Sequence, residues 1–438
     1  MQKIYIKDLK EYIDKEITLQ AFVDNIRNLQ YVQFVILRDS TGKVQVTIEK
    51  SEEANKELVE IIDNLSLEST VKITGKLIES PKVKLNGMEI IPTKIEVTSK
   101  SEIELPIDIK NKDNSLRETR LDWRFLDLRR EDNNLLFECQ TYLLHAMREF
   151  WYENNYMEIQ TPKISASAAE SGAEMFKLDY FGQKACLSQS PQFYKQMAMA
   201  AGFNKVFEIA PVFRAENSHT SYHATEIEMI DCEISWIDSY NDVMDEEEAW
   251  IKYFMTKLKE KYGDRIKEVF NVEVSDVSNK FPRITFEDAK KIIKEEYKYN
   301  GEKEDDLDRH EEELMCKYSK EKYNSDFVFI TNFPYSARSF YVMKDESGVT
   351  QTYDLLFKGV EITSGAQREH RYDVLKKQIE EKGINPEDLS FYLDFFKYGC
   401  PPHGGFGVGL ARIIMRIFEI DNIREATFIY RGPTRLNP

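Results

Sequence analysis

Residues 17–48 alternate between apolar and polar side chains, a pattern that is typical of β-strands with one buried face. The run ITLQAFVDNIRN is followed by VQFVILRD, an STGK turn and VQVTIEK. After a helical stretch near 53–64 come two more strand-like runs, TVKITGKLIES and MEIIPTKIEVTSK. Five short strands with one helix between the third and the fourth is the order of an OB-fold barrel. We therefore expect an OB-fold domain at residues 1–102.

A different pattern begins after the polar segment 103–132, which we expect to be a hinge or linker. The stretch NNLLFECQTYLLHAMREFWYENNYMEI repeats apolar residues every three and four positions and predicts a long amphipathic helix. Pro162, which follows it, should break any helix and begin an extended segment. From residue 184 onward, strand-like runs follow one another as hairpins. This favours a mostly antiparallel sheet flanked by helices over a doubly wound sheet, so the chain is predicted to be α+β, with a second domain at 133–438.

Composition and charge narrow the classes of function. A chain of 438 residues is long enough for two domains, and its net charge of −17 argues against nonspecific adhesion to nucleic acid, which needs clustered Lys and Arg. It contains no apolar run long enough to span a membrane and no signal peptide, so we expect a cytoplasmic protein. The five cysteines include no CxxC pair, which argues against a zinc site. The acidic segment 300–322 is interpreted as a solvated helix.

The first candidate site is the hairpin VFRAENSHTSYHATEIEMID, residues 212–231. An apolar strand delivers Arg214 and Glu216 to a long loop that also holds Tyr222 and His223.

The segment LSQSPQFYKQMAMAAG, residues 187–202, is the second candidate. It places Gln189, Gln192 and Lys195 around a turn and the start of a helix, where anions are stabilised. Taken alone, the pattern is better explained by an ordinary amphipathic helix with a surface lysine.

The third candidate, TYDLLFKGVEITSGAQREHR, offers oxygen ligands for Mg²⁺. If residues 352–363 form one strand, Asp354 and Glu361 are an odd number of positions apart, so a bulge or twist is needed before both face one ion. Ser364 adds a hydroxyl oxygen. Two solvent-facing acids on a strand are the simpler alternative.

The glycine-rich stretch PPHGGFGVGLARIIMRI lets the backbone approach a nucleotide closely and brings Arg412 to the start of a helix. It is not a P-loop, and a glycine-rich turn packed on the sheet is the alternative. Together, Arg214, Arg368, Arg412 and the acidic pair suit phosphoryl or nucleotidyl transfer, which depends on positioning and charge neutralisation.

These motifs have a recognisable counterpart. The hairpin FRAE, the ending GGFGVGLARI and the helix that runs into TPKI resemble the three signature motifs of class II aminoacyl-tRNA synthetases. The barrel is similar to that of the aspartate, asparagine and lysine subgroup, and SQSPQFYKQM, EITSGAQR and YGCPPHGGFGVGL most resemble its archaeal aspartate enzymes. The resemblance covers essentially the whole chain. It implies activation of L-aspartate by ATP and transfer to tRNA(Asp), with tRNA(Asn) as a further candidate substrate.

The resemblance also implies roles for single residues. Those matched to ATP binding are Arg214, Glu216, Tyr222, His223, Glu361, Gly409 and Arg412, and the catalytic pair among them is Arg214 and Arg412. Those matched to aspartate binding are Glu170, Gln192, Lys195, Arg214, Ser364 and Arg368. The positions matched to Mg²⁺ are Asp354, Glu361 and Ser364, and those matched to the anticodon are Phe34 and Gln45. Pro162 matches a dimer-interface motif, which implies a homodimer.

Two cations, Lys195 and Arg368, favour a carboxylate side chain over an amide, because an amide would leave both desolvated and uncompensated. This argument favours aspartate over asparagine as the substrate, and asparagine–tRNA ligase is the nearest alternative. The choice between tRNA(Asp) and tRNA(Asn) depends on contacts to the first anticodon base around Asp24 and Asn86.

The sequence departs from the family pattern at several positions. Tyr222 stands where an arginine is usual, Ala411 where a glutamate is usual, and Glu228 where a tryptophan is usual. The tail reads FIYRGPTRLNP where FPRD is typical. These differences keep a third hypothesis open, a synthetase-like paralogue that binds RNA or a ligand without aminoacylating. The presence of Arg214, Glu361, Arg368 and Arg412 argues against that paralogue.

Overall fold

The computed structural model describes residues 3–166 and 175–437, and the chain divides into two compact units, Met1–Ser115 and Leu116–Pro438. The division falls later than the expected end of the first domain at residue 102. Much of the segment expected to be a linker, 103–132, is helical and belongs to the second unit. Its helices are α2 (Arg117–Asp122), α3 (Arg124–Asp127) and the start of α4 (Glu131–Glu153).

The first unit is a closed five-stranded barrel. Its elements in chain order are β1 (Glu16–Asn28), β2 (Val32–Asp39), β3 (Gly42–Glu49), α1 (Lys56–Asp63), β4 (Thr70–Glu79) and β5 (Met88–Ser99). The barrel closes in the order β1-β2-β3-β5-β4, with α1 between the third and fourth strands. Alternate residues of β2 and β3, such as Val35 and Val46, are fully buried, while their neighbours are partly exposed. The OB-fold prediction is confirmed.

The second unit is built on an eight-stranded sheet. The unit also contains a separate three-stranded sheet. In chain order, the strands of the two sheets are β6 (Met157–Glu158), β7 (Ile164–Ser165), β8 (Lys177–Tyr180), β9 (Gln183–Leu187), β10 (Lys205–Phe213), β11 (Glu226–Ser235), β12 (Arg283–Thr285), β13 (Phe327–Thr331), β14 (Thr352–Phe357), β15 (Val360–Gln367) and β16 (His403–Gly409). The large sheet has the order β12-β13-β14-β15-β16-β11-β10-β6, and the small one has the order β7-β9-β8. The large sheet is antiparallel except at its two outermost pairs, so the α+β prediction is confirmed.

The remaining helices are α5 (Gln192–Ala200), α6 (Tyr240–Phe270), α7 (Phe286–Glu296), α8 (Arg309–Tyr323), α9 (Tyr372–Glu381), α10 (Ser390–Lys397), α11 (Leu410–Ile417) and α12 (Ile423–Ala426). Short 3-10 helices lie at Ile6–Tyr12, Glu53–Asn55, Lys112–Asn114, Tyr335–Ala337 and Pro386–Leu389. Within residues 3–166 and 175–437, no helix combines the length and the apolar character needed to cross a membrane.

The two faces of the central strands have different roles. In β11, Ile230 and Cys232 join the apolar cluster formed with α4 and α6, in which Trp151 and Trp250 stack with ring centroids 4.7 Å apart. The alternate residues Asp231 and Glu233 point to the opposite face, because successive side chains of a strand alternate in direction. One face of the sheet is therefore core, and the other carries charge.

Residues 352–363 are a hairpin rather than the single strand that we expected. β14 and β15 are joined by a turn at Lys358 and Gly359, which have φ values of 44° and 81°. Asp354 therefore lies directly opposite Ser364 on the neighbouring strand, not along one strand from Glu361. The pairing of β14 with β15 contains a register shift between Leu355 and Leu356. The bulge within one strand that we expected is not needed, because Asp354 and Glu361 lie on different strands.

The acidic segment 300–322 is also less exposed than a solvated helix. α8 begins with a capping box between Asp308 and Glu311. Glu311 is buried, and its Oε2 lies 2.7 Å from Nζ of Lys290. The sequence signal failed because the charge of Glu311 is compensated by a partner on α7, a contact that charge patterning along α8 does not reveal.

We expect Gly405→Ala to destabilise the second unit by about 3 kcal/mol or more. An added Cβ would lie 2.1 Å from the carbonyl oxygen of Cys232, a backbone atom that cannot move away easily. The matched control is Gly263→Ala in α6, where the nearest atom is 3.6 Å away and alanine should stabilise by roughly 0.5–1 kcal/mol.

Urea unfolding followed by tryptophan fluorescence measures this difference. All four tryptophans, at 123, 151, 236 and 250, lie in the second unit, so the signal reports that unit alone. An unchanged midpoint for Gly405→Ala would contradict the packing described here.

Candidate active site

A cavity of about 200 Å³ lies on the charged face of the sheet. It is walled by α5, the hairpin between β10 and β11, β15, β16 and the start of α11. Eleven of the predicted site residues line it: Gln192, Lys195, Arg214, Glu216, Tyr222, His223, Glu361, Ser364, Arg368, Gly409 and Arg412. Segments separated by up to about half of the chain thus meet at one place, as expected for a single site.

The floor of the cavity is a buried network of four charges. Lys195 Nζ lies 2.9 Å from Asp231 Oδ1 and 3.3 Å from Glu233 Oε2, and Arg368 Nε donates to Glu233 Oε1 over 2.9 Å. All four residues are at least nine-tenths buried. Such charges are tolerated only when each is paired, so the network fixes the positions of its members.

The pKa values in this network follow from that pairing. Burial alone lowers the pKa of Lys195, but Asp231 and Glu233 outweigh it and hold the pKa above its usual value. Burial raises the pKa of Glu233, and Arg368 and Lys195 reverse the shift, so the pKa of Glu233 is lowered. The two cations and Glu233 therefore remain ionised at neutral pH.

Gln192 offers a polar group to the same cavity. It is the first residue of α5 and is buried, and its Nε2 has no hydrogen-bond partner among the described residues. A buried donor without a partner costs free energy unless a ligand or water accepts from it, which marks Gln192 as a candidate ligand contact.

His403 anchors α5 to the start of β16. Tyr392 donates to Gln196 Oε1 over 2.9 Å, and Gln196 Nε2 lies 3.0 Å from His403 Nε2. The pattern is satisfied when the proton is on Nδ1 of His403, which lies 2.8 Å from the carbonyl oxygen of Pro401. Burial lowers the pKa of His403 to about 4, so the ring is neutral. Gln196 is adjacent to Lys195 on α5, so this chain of bonds also positions Lys195.

Two further cations line the upper part of the cavity. Arg214 follows β10, and among the described residues its guanidinium has no acidic partner. Arg412 lies in the first turn of α11, and within the described part of the chain its guanidinium donates only to the backbone oxygen of Glu361, over 3.3 Å. Both guanidinium groups are therefore available to an anionic ligand.

The hairpin loop above them is tied to the end of the chain. Tyr430 donates to the carbonyl oxygen of His223 over 3.1 Å, and the amide of Thr225 donates to Arg431 over 3.0 Å. Burial and then Arg412 lower the pKa of His223, which leaves the ring neutral near pH 7. Both effects disfavour a cationic His223.

Acidic groups meet beside Glu361. Burial and then the nearby carboxylate of Asp354 raise the pKa of Glu361 to about 7. Asp354 itself does not line the cavity, because Arg338 holds it through two bonds of 3.1 and 2.6 Å. Ser364 lies 3.5 Å from the same arginine. Among the described residues there is no group of three or more His, Cys, Asp or Glu side chains that could hold a metal ion.

The chemistry of these oxygen donors nevertheless fits Mg²⁺, which commonly takes one or two carboxylates and completes its shell with water and substrate phosphates. A cation beside Glu361 would stabilise its ionised form, which burial and the carboxylate of Asp354 disfavour.

Sequence reasoning missed several residues of the site. Asp231 and Glu233 had a usable signal, since they alternate with Ile230 and Cys232 in a strand that otherwise reads as apolar. Arg338 and the α8 residues Arg309 and Glu312 had none, because only long-range packing brings them here. Glu170 lies outside the described residues.

The two residues matched to the anticodon lie on the barrel. Phe34 on β2 is opposite Thr47 on β3, and Gln45 is two residues before Thr47, so Phe34 and Gln45 share the outer face. Gln45 Nε2 donates to Glu89 over 3.2 Å. Asp24 pairs with Arg38, and the side chain of Asn86 donates to the backbone of Lys43.

The barrel, the antiparallel sheet and the converging arginines define a class of protein. The family model described as tRNA synthetases class II (D, K and N) matches residues 116–430, and that of the OB-fold nucleic acid binding domain matches residues 17–98. The chain belongs to the class II tRNA synthetases of the D, K and N group.

Individual relatives are similar over almost the whole chain. The aspartate–tRNA(Asp) ligase of Pyrococcus horikoshii is 41% identical over 437 residues, covering 99% of both chains. The aspartate–tRNA(Asp/Asn) ligase of Aeropyrum pernix is 40% identical over 94% of this chain and 93% of its own. The crystal structure of asparaginyl-tRNA synthetase from P. horikoshii complexed with asparaginyl-adenylate superposes with a TM-score of 0.92, at 31% identity and full coverage of both chains.

The neutral, buried His403 should make the second unit sensitive to acid. In the unfolded chain a histidine takes up a proton near pH 6.5, whereas the folded ring does so only near pH 4. The stabilisation is therefore present above pH 6.5 and is lost as the pH falls toward 4. We expect about 2 kcal/mol to be lost between pH 6.5 and 4.5.

Urea titrations at several pH values, followed by tryptophan fluorescence, test this. His403→Gln should flatten the pH dependence of the unfolding free energy over this range, whereas His145→Gln, at an exposed position of α4, should not. An identical pH dependence of the unfolding free energy in the unchanged protein and both variants would show that His403 is not the group responsible.

Proposed function

We propose that the protein is an aspartate–tRNA ligase. It activates L-aspartate with ATP to aspartyl-adenylate, releasing pyrophosphate, and transfers the aspartyl group to the 3′ end of tRNA(Asp). The two aspartate–tRNA ligases above are 40–41% identical to this chain, which supports aspartate as the amino acid substrate. The asparaginyl-tRNA synthetase is less similar in sequence, at 31% identity.

The observation that carries the proposal is the pair of buried cations in the floor of the cavity. Lys195 and Arg368 both reach a cavity that is large enough for a small amino acid. Asp231 and Glu233 neutralise these two cations before the substrate enters. The substrate must therefore carry both a cationic group for an acid of the network and an anionic group for the two cations.

Aspartate meets this requirement. Its α-ammonium group pairs with Asp231, which lines the cavity, and its side-chain carboxylate then takes up the hydrogen bonds that Lys195 and Arg368 can give. Asparagine brings an ammonium but no side-chain carboxylate, and its amide NH₂ would face two cationic donors. Sites with buried polar groups reject an analogue that leaves those groups unpaired.

Arg214 and Arg412 suit the nucleotide. In the activation step, a carboxylate oxygen of aspartate bonds to the α-phosphorus of ATP and the bond to pyrophosphate breaks, so negative charge accumulates around that phosphorus. Guanidinium groups fixed beside it stabilise the transition state more than the ground state. No proton transfer is needed in this step, which agrees with the lowered pKa of His223.

Mg²⁺ completes the nucleotide site in this proposal. Glu361 and Ser364 would hold it from the cavity wall, and Asp354 would join them if Arg338 releases it. The ion neutralises phosphate charge when it is bound.

The barrel supplies the tRNA contact. An aromatic ring and an amide on one exposed face, Phe34 and Gln45, suit an unstacked anticodon base, which proteins commonly bind by stacking and by hydrogen bonds to its edge. We expect tRNA(Asp) as the substrate. Parallel charging of tRNA(Asp) and tRNA(Asn) transcripts decides whether tRNA(Asn) is a second one. A cytoplasmic homodimer, with Pro162 near its interface, completes the proposal.

Exchange of labelled pyrophosphate into ATP, with aspartate, asparagine or lysine as the amino acid, tests the function. We expect exchange with aspartate to exceed that with asparagine by about a hundredfold or more. Stronger exchange with asparagine would indicate an asparagine–tRNA ligase. No exchange by the folded protein with any of the three would indicate a paralogue that does not activate amino acids.

Lys195→Met should lower aspartate-dependent exchange by about a hundredfold, since it removes a charged hydrogen-bond donor at nearly constant volume. The matched control is Lys205→Met, which removes a lysine at the start of β10 that pairs with Glu246 of α6, and this variant should exchange normally. The loss should lie in aspartate use, with the KM for ATP changed little. Equal losses for both substrates would contradict the role of Lys195.

Phe34→Ala should raise the KM for tRNA(Asp) by about tenfold, the effect of losing one stacked base. Pyrophosphate exchange needs no tRNA and should be unaffected. Val97→Ala, at an exposed apolar position of β5, is the control. An unchanged KM for tRNA would remove Phe34 from the binding surface.

A further inference from the structure

The cavity is short of positive charge for a nucleoside triphosphate. Among the described residues that line it are four cations, Lys195, Arg214, Arg368 and Arg412, and three acids, Glu216, Asp231 and Glu361. Two of the cations are already engaged in the floor network. Arg214 and Arg412 are left for a triphosphate, which carries several negative charges.

The hairpin loop adds no further cation. Between Glu216 and Thr225 it contains neither lysine nor arginine, and the residue that it presents to the cavity beside His223 is Tyr222. The loop therefore brings an aromatic ring, and no lysine or arginine, to the rim of the cavity on this side.

A guanidinium from a distant part of the chain contacts that aromatic ring. Arg309 NH2 donates to the hydroxyl of Tyr222 over 3.1 Å, and Cζ of Arg309 lies 4.4 Å from the ring centroid. Arg309 and Tyr222 are 87 positions apart, and the contact joins α8 to the hairpin loop. A guanidinium held against a ring keeps its charge and several free donors.

α8 is held at the cavity by a second contact. Glu312, one turn after Arg309, accepts the backbone amide of Glu361 over 3.0 Å, and Glu361 lines the cavity. Arg309 is thereby placed between Tyr222 and the strand that carries Glu361. Its acidic neighbours on α8 lie at 3.3 and 3.5 Å, and its side chain remains about one-third exposed. Ion pairs made by a partly exposed guanidinium at such separations are weak, so Arg309 can turn to a stronger anion.

We propose that Arg309 contacts the terminal phosphates of bound ATP and supplies, from α8, the positive charge that the hairpin loop lacks at Tyr222. Tyr222 holds the guanidinium at the rim until the nucleotide enters. This inference rests on the proposed function, because it assigns Arg309 to the ATP site of that same reaction.

Calorimetric binding of two nucleotides tests the inference. The probes are α,β-methylene-ATP with Mg²⁺, which cannot release pyrophosphate, and AMP, which lacks the terminal phosphates. Arg309→Ala should weaken binding of the triphosphate by about tenfold, the effect of one charge-assisted hydrogen bond, and leave AMP binding within twofold. Arg309→Lys should recover part of the loss.

The matched control is Lys317→Ala, which removes an exposed cation from α8 two turns further along. It should bind both nucleotides as the unchanged protein does. Tyr222→Arg in the Arg309→Ala background should restore triphosphate binding, because it returns a guanidinium to the rim. Recovery by charge at a different position is an effect that a purely structural role of Arg309 does not predict.

Two results would overturn the inference. Triphosphate binding unchanged in Arg309→Ala would show that the guanidinium does not reach the phosphates, and equal weakening of triphosphate and AMP would show that Arg309 only supports the loop. Both leave the proposed function intact. Failure of the unchanged protein to bind the triphosphate, together with no aspartate-dependent exchange, would instead count against the proposed function itself.

Discussion

The ion pairs around Glu233 are the constraint on which the site depends. A carboxylate with no exposed surface must be compensated, and Lys195 and Arg368 approach it from α5 and from the end of β15. The compensation requires β11, β15 and β16 to lie close together, and Gly405 leaves the space that Glu233 occupies. Removing either cation would leave an uncompensated buried charge. The same charges that fix the three strands are those that face the amino acid, so stability and selectivity depend on one network.

The alternation of side chains along β11 explains how core and site coexist. Apolar residues on one face pack against α4 and α6, and the residues between them carry the charges on the other face. A slip of one residue in register would bury the charges in the apolar core and expose the core to the cavity. The apolar face therefore secures the register that the charged face needs.

Much of the architecture was predictable from the sequence, because periodicity is a local property. The OB-fold barrel, the long helix α4 and the antiparallel sheet follow from alternation and from three- and four-residue spacing. The motifs also identified most of the residues that line the cavity. What the sequence could not provide was the pairing between distant segments. Arg368 meets Glu233 across 135 positions, and Arg309 meets Tyr222 across 87. The hairpin that separates Asp354 from Glu361 was missed because its turn, Lys358–Gly359, sits inside a run of strand-forming residues.

The central claim is that two buried cations, balanced by two buried acids, select the carboxylate side chain of aspartate. A crystal structure of the protein with a non-hydrolysable aspartyl-adenylate analogue tests this most directly. The account predicts that the side-chain carboxylate of the analogue lies within hydrogen-bond distance of both Lys195 Nζ and the Arg368 guanidinium, with the α-ammonium group against Asp231. A carboxylate bound elsewhere, while Lys195 and Arg368 keep only their bonds to Asp231 and Glu233, would contradict it.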